Sequence, residues 1–387
     1  DDSPETEDTS ITLLDKTTTT VSAAVKSATL KSDTMTLELV NKDDKVLVKG
    51  YEDLPVHSDN MNALTDALTL YTAIQDIGER ENLSEFGFDK PSVSAAVTFY
   101  DDSTYNFELG SLAPDKSGYY FREKDSNHLY VIPADSGYAM LQEPLSYVST
   151  TVLKQPETSN ENAEIVLRNM KLSGTSRQGK EFAFRLVTSA DDSAYLYHTY
   201  IITYPFQKGA STSKASELEK FTYLSAASVA AVYPSAAELK QFGLDNPSTV
   251  AEFTLAQRTT VTGPTDADGN ASSETKYSNL QEHTLLLGNL YNDYYYCMID
   301  DTPIVYLVAA GSLPFATLQY DEFTDNLLFL ENITNIGSMQ VTTPTMNSDF
   351  RLTHYPDVSD NDKNLAVTAD GKTYDTMNFR YLVQNFM

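Results

Sequence analysis

The sequence has no tryptophan, a single cysteine and little positive charge. Each shortage excludes something. With Cys297 alone, no intramolecular disulfide, CxxC metal site or thiol pair can form within the chain. Cys297 stands in YYYCMI, a strand-like run where a lone thiol is expected to be a small buried hydrophobe. No His or basic residue stands close in sequence to turn it into a nucleophile. Lys plus Arg number 27 against 55 Asp plus Glu, a formal net charge of −28. Such a surface repels phosphate backbones and anionic head groups, so nucleic acid is not an expected partner. The longest apolar run lies around residues 304–310, far short of the roughly 20 residues that cross a bilayer. No HExxH, GxSxG, Walker A or GxGxxG pattern occurs, so zinc-protease, acyl-transfer and nucleotide chemistry lack their sequence cues.

What is present fits an ordinary globular chain. At 387 residues, with 41% hydrophobic and 11% aromatic residues, it has material for two or three domains with cores of their own. The start, DDSPETEDTS, is acidic and Ser/Thr-rich, and TTTT at 17–20 continues the polar character. It reads as a solvated spacer without the basic and apolar regions of a signal segment.

One phrase is written twice. LSEFGFDKPS at 83–92 and LKQFGLDNPS at 239–248 agree at six of ten positions. Leu83 and Phe86 have the spacing of a last helical turn, Gly87 suits the left-handed residue that ends it, and Phe88 can close the cap. Asp89 and Pro91 supply turn chemistry, with Pro91 at a strand start. Leu239, Phe242, Gly243, Leu244, Asp245 and Pro247 offer the same roles. Both copies then alternate: Val93, Ala95, Val97 and Phe99 in one; Thr249, Ala251, Phe253 and Leu255 in the other. A second strand closes on Leu109-Gly110 and on Leu287-Gly288, with the interval grown by 22 residues. The extra residues, rich in Gly, Ser, Thr and Asp, predict an elongated hairpin loop near 258–280. A further hairpin follows each time, from Tyr119-Tyr120-Phe121 to Leu129-Tyr130 and from Tyr294-Tyr295-Tyr296 to Val305-Tyr306. Upstream, residues 58–74 predict a helix burying Met61, Leu64, Leu68 and Tyr71 behind a Ser58 or Asp59 cap. Residues 213–232 predict another, burying Leu218, Phe221 and Leu224. Residues 333–387 start a third unit, ending in a helix with Asp375 as cap and Phe379, Leu382 and Phe386 inward.

The sequence thus predicts an α+β fold: tandem repeats of antiparallel β-sheet with one main helix per unit. The expected division is an acidic spacer at 1–20, repeats at 21–156 and 157–332, and a partial third at 333–387.

The chemistry-bearing residues are scattered. Asp43-Asp44, Asp101-Asp102, Asp191-Asp192 and Asp300-Asp301 could do acid/base work or hold Ca²⁺, yet each pair sits between strand-like runs where Asp favours turns. TDADGN at 265–270 and DVSDND at 357–362 look like calcium loops but fail the EF-hand spacing. His57, His128, His198, His283 and His354 fall in five separate elements. Tyr195, Tyr197, Tyr200 and Tyr204 cluster, as do Tyr291, Tyr294, Tyr295 and Tyr296; they suit recognition surfaces and strands alike. No catalytic, cofactor-binding or metal-binding residue is assigned, and no enzyme activity or cofactor is expected.

The order of strands, helix, LxxFGLDxP, strand, strand ending in LG, YY and hairpin to VY resembles an uncharacterised bacterial family, domain of unknown function 4340 (DUF4340). The resemblance spans roughly residues 20–387 and rests most on Leu239, Phe242, Gly243, Leu244, Asp245, Pro247, Leu287, Gly288, Tyr296, Val305 and Tyr306. It implies an extracytoplasmic, membrane-anchored protein tied to an ABC-type transport system of the gliding-motility kind. The resulting expectation is a non-enzymatic accessory or scaffold of a bacterial envelope transport complex, partnered by a permease and its ATPase. The alternative is a surface module binding glycan, peptide or calcium through its Tyr-rich surfaces.

Overall fold

The computed structural model describes residues 10–17, 24–159, 161–191, 195–265, 271–325, 333–360 and 363–386. The chain groups into two compact units. One comprises Asp1–Leu153, Leu224–Asp245 and Gly288–Ala310; the other comprises Lys154–Tyr223, Asn246–Leu287 and Gly311–Met387.

Two large sheets share one strand order. The first runs Lys45–Val48, Thr36–Lys42, Val25–Lys31, Val93–Phe99, Thr104–Leu112, Gly118–Glu123, His128–Pro133, Gln75–Glu79. The second runs Tyr200–Tyr204, Phe182–Leu186, Ala163–Ser173, Thr249–Thr265, Ala271–Tyr291, Tyr294–Ile299, Ile304–Ala309, Ser228–Val232, with Lys208–Gly209 added outside Tyr200–Tyr204. Neighbouring strands pair antiparallel. A smaller sheet of Ser338–Thr343, Met346–His354, Leu365–Ala369 and Lys372–Tyr374 precedes helix Thr376–Phe386. The fold is α+β with a duplicated plan.

The repeated phrase is the joint of that plan. Its first copy is a short 3-10 helix, Leu83–Phe86, stopped by Gly87 at φ 85°. Its second is an α-helix, Ala236–Phe242, stopped by Gly243 at φ 73°. Both close as Schellman caps: Phe88 N–H donates to Leu83 O and Leu244 N–H to Leu239 O, at 3.3 and 2.8 Å. The second copy is α-helical because Ser235 and Glu238 form a capping box, which gives its first turn a start signal. The Leu-Gly pairs are explained here too. A Cβ on Gly110 would collide with the carbonyl oxygen of Phe86 and press on the Phe88 ring. A Cβ on Gly288 would meet Phe242 O and Leu244 in the same way. The strands run on past these glycines, to Leu112 and Tyr291, and the glycine has no side chain because the helix stop rests on it. Ser92 and Ser248 then anchor the strand, each donating its N–H to Leu109 O or Leu287 O at 2.8 Å. The aromatic contact repeats as well: Phe86 meets Tyr120 at 4.8 Å, and Phe242 meets Tyr296 at 4.5 Å between centroids.

In the first unit the helix Ser58–Thr69 buries Met61, Leu64 and Leu68 against sheet residues Val25, Leu37, Phe107 and Phe121. Each such side chain contributes about 1.5–3 kcal/mol by leaving water. His57 rather than Ser58 or Asp59 is the N-cap, its Nδ1 accepting from Asn60 N–H at 3.4 Å. The helix ends at Thr69, earlier than the expected 74, because Leu70 turns extended and Leu70–Ala73 forms a strand. Tyr71 still faces the core, from a strand rather than a helix. Residues 11–15, expected within a solvated spacer, form the strand that pairs with Leu70–Ala73.

Two other expectations are corrected. The helix expected over 213–232 covers only Thr212–Glu219; Leu224–Ser225 and Ser228–Val232 are strands. Leu218, Phe221 and Leu224 are buried as expected, so burial was legible where element type was not. In its described residues the insertion near 258–280 is an extension of the hairpin strands rather than a loop, with Arg258↔Tyr277 and Thr262↔Ser273 still in register. The β-branched run Thr259, Thr260 and Val261, with Thr275 on the facing strand, favours a two-stranded ribbon despite the Gly- and Ser-rich composition. In the last helix, Asp375 caps Asn378 N–H at 2.9 Å, and Phe379 and Val383 are buried with Leu382 packed beside them. The Phe386 side chain, residues 18–20 and residues 266–270 of TDADGN lie outside the described residues, as do 361–362 of DVSDND.

Candidate functional site

Three of the Asp pairs are turns. Asp43 and Asp44 both take positive φ, 53° and 60°, in the two-residue link between Lys42 and Lys45. Asp300 and Asp301 do the same at 50° and 56°. Asp102 also has positive φ, and its neighbour Asp101 accepts from Ser103 N–H and Oγ. Asp and Asn tolerate this region, which the twist of a tight hairpin requires. Asp191 instead receives a bidentate pair from Arg185 at 2.5 and 2.9 Å and the N–H of Thr188 at 2.7 Å; Asp192 lies outside the described residues. These bonds, the Arg185 guanidinium first, hold the Asp191 carboxyl well below the usual range.

The histidines are dispersed. His57 caps its helix, His128 meets Asp76 at 2.6 Å and stacks on Tyr130, and His198 donates to Ala210 O. His283 lies against Phe253, and His354 bonds Ile336 O. Among the described residues, no three His, Cys, Asp or Glu side chains come together as a metal site. Cys297 is fully buried, and burial pushes its thiol well up from the ordinary value. It takes in its hairpin the place of Phe121: Cys297 faces Tyr306 as Phe121 faces Tyr130. The tyrosines divide. Tyr200 is buried, donating to Leu167 O at 3.0 Å, while Tyr197, Tyr204 and Tyr291 are exposed.

One cleft with basic side chains in its lining uses residues that the sequence did not single out. A cavity of about 400 Å³ opens on the outer face of the sheet, lined among others by Arg168, Lys171, Arg185, Thr188, Thr203 and Tyr277. Two β-bulges shape it. Pairing with Thr249–Thr265 slips between Leu167 and Asn169, and pairing of Phe182–Leu186 with Tyr200–Tyr204 slips at Thr203. A bulge re-aims a side chain off the regular alternation, and here the bulged residues Arg168 and Thr203 both line the cleft. Lys171 is neutralised by Glu252 at 2.6 Å and Arg185 by Asp191. The Arg168 guanidinium lies over the Tyr277 ring at 5.5 Å, with no carboxylate in ion-pair range among the described residues. In a chain of net charge −28 this is a local excess of positive charge, suited chemically to an oxyanion. A break of strand alternation in IVLRNMKL was the available signal.

A second arginine is structural. Arg177 is 1% exposed and its Nη2 donates to the carbonyls of Phe315, Ala316 and Leu318 at 2.7–3.0 Å, while Nη1 donates to Thr249 Oγ1. It holds a loop to its sheet.

Comparison with known proteins is decided by the repeat. The family model described as a domain of unknown function, DUF4340, matches residues 47–247 and again 215–384. The chain belongs to this family. The two matches overlap across helix Ala236–Phe242 and the second phrase, so the family pattern itself recurs along the chain. No curated protein and no solved structure matches.

Proposed function

We propose that this DUF4340 chain is a non-enzymatic scaffold of the bacterial envelope. In this reading it works outside the cytoplasm, is anchored in its native form, and serves an ABC-type transport complex of permease and ATPase as an accessory. The observation that carries the reading is the duplicated sheet: one strand order built twice around one joint, with broad sheet faces. Such repeats suit assembly better than chemistry at one convergent point. Net charge of −28 further favours protein or small-molecule partners over nucleic acid. The test is in-cell crosslinking of the tagged protein in its native membrane, followed by mass spectrometry. Recovery of a permease and its ATPase above an unrelated anchored control supports the proposal; recovery of the protein alone overturns it.

A second reading, a module that binds a soluble ligand, is favoured by the Arg168–Tyr277 cleft. It requires that a purified chain gain thermal stability from an oxyanion ligand and lose that gain on Arg168→Gln. An unchanged melting temperature across carboxylate and phosphate ligands removes it.

A further inference from the structure

The small third sheet has the order Lys372–Tyr374, Leu365–Ala369, Met346–His354, Ser338–Thr343. Its helix packs Phe379 and Val383 with Val341, Phe350, Leu352 and Val367. This is the opening half of the larger sheets: a meander of strands followed by a helix. In both larger sheets the first strand of that meander is interior. Val25–Lys31 lies between Thr36–Lys42 and Val93–Phe99; Ala163–Ser173 lies between Phe182–Leu186 and Thr249–Thr265. Among the described residues, Ser338–Thr343 has a strand neighbour on one side only.

The open side can be read residue by residue. Gly337 O accepts the N–H of Leu352 at 2.9 Å, and the register continues Ser338↔Arg351, Met339↔Phe350, Gln340↔Asp349, Val341↔Ser348. Hydrogen-bonded and non-bonded pairs alternate along an antiparallel ladder. Ser338, Gln340 and Thr342 therefore turn their N–H and C=O groups away from the sheet. Their side chains are exposed, whereas Val341 is buried and Met339 half-buried. None of the six residues is charged or proline, so the usual devices that blunt an edge are missing.

We propose that Ser338–Thr343 is an acceptor edge for β-strand addition. Its occupant is an extended segment of a partner protein, antiparallel, neutral or basic, and apolar at every second residue. The two internal copies define that chemistry. The strands in the corresponding place bury Val93, Ala95, Val97 and Phe99 in one case and Ala251, Phe253 and Leu255 in the other. Main-chain bonds supply affinity, and alternate side chains extend the core of Val341 and Phe350. A second copy of this chain is disfavoured, because each copy carries a net charge of −28.

The test adds a labelled synthetic peptide of residues 93–99, VSAAVTF, with blocked termini, to the full chain and follows fluorescence anisotropy. Saturable binding in the range of roughly 10–100 μM is expected, with none for a shuffled peptide that breaks the alternation. Gln340→Pro removes a donor on the open side and no bond of the existing ladder. It should weaken binding at least about tenfold, near 1.4 kcal/mol, with circular dichroism unchanged. Should that variant misfold, Ser338→Pro, at the first residue of the strand, takes its place. Bound peptide should also slow exchange at the Gln340 and Thr342 amides. The proposal is overturned by absent or alternation-independent binding, by undiminished binding to the proline variant, or by these amides being protected already in the free chain. Sedimentation showing a dimer that Gln340→Pro dissolves also overturns it, since the occupant would then be a second copy.

Discussion

Replacing Gly288 by Ala probes the repeated joint at its tightest point. The added Cβ would lie closer than 3.0 Å to the carbonyl oxygen of Phe242 and 3.1 Å from Leu244 Cγ. The first contact is with backbone, which cannot rotate away. Relief requires the helix stop to move, and that stop carries two cap bonds, Gly243 N–H to Lys240 O and Leu244 N–H to Leu239 O. Overpacking of this kind costs about 1–3 kcal/mol, and loosening the cap adds roughly 1 kcal/mol, so a loss of about 2–4 kcal/mol is expected. Gly110→Ala should do the same in the first copy, since its Cβ would collide with Phe86 O. Gly311→Ala meets nothing within 4 Å and should change stability by less than about 0.5 kcal/mol. Urea unfolding followed by circular dichroism measures all three, and local hydrogen exchange covers the chance that the two units unfold separately. If Gly288→Ala and Gly110→Ala both stay within about 0.5 kcal/mol of the parent, the joint is not what fixes these glycines.

Four other outcomes follow from single side chains. Arg177→Met strips the carbonyls of Phe315, Ala316 and Leu318 of their donor and should cost about 3–5 kcal/mol in a denaturation midpoint series, with Lys a poor substitute because it lacks the planar fork. Tyr71→Phe should be neutral or stabilising by about 1 kcal/mol, because the Tyr71 hydroxyl is buried with no partner among the described residues; a clear loss would reveal an ordered water there. The Asp191 carboxyl titrates lower in the folded chain than when unfolded, so its contribution is complete near neutral pH and is lost as pH falls through about 4 towards the lowered value. Asp191→Asn should therefore narrow the stability difference between pH 7 and pH 3, and an unchanged pH profile would contradict the pairing. Cys297 should resist a thiol reagent in the folded chain and react fully in urea; fast native labelling would mean it is not in the core.

Much of the fold was legible because duplication leaves a pattern that chance does not. The phrase with Gly87 and Gly243 announced two left-handed helix stops, and the alternation of Val93–Phe99 and Thr249–Leu255 announced the strands behind them. What the sequence could not settle was element type where both periods fit. Leu218, Phe221 and Leu224 satisfy a helical face, yet Phe221 and Leu224 reach the core after the helix has ended. The Thr-rich ribbon was hidden by glycine and serine, whose turn preference gave way to cross-strand pairing. Arg177 was invisible for another reason: its partners are backbone carbonyls about 140 residues away in the chain. The Arg168 cleft likewise depends on bulges in two different strands, which one sequence does not display.

The most direct measurement of the duplication is amide hydrogen exchange across residues 83–92 and 239–248 of the full chain. If the same joint is built twice, Phe88 and Leu244 will be protected by their cap bonds and Ser92 and Ser248 by their bonds to Leu109 and Leu287. Strong protection in one phrase and exchange at unstructured rates in the other would contradict it.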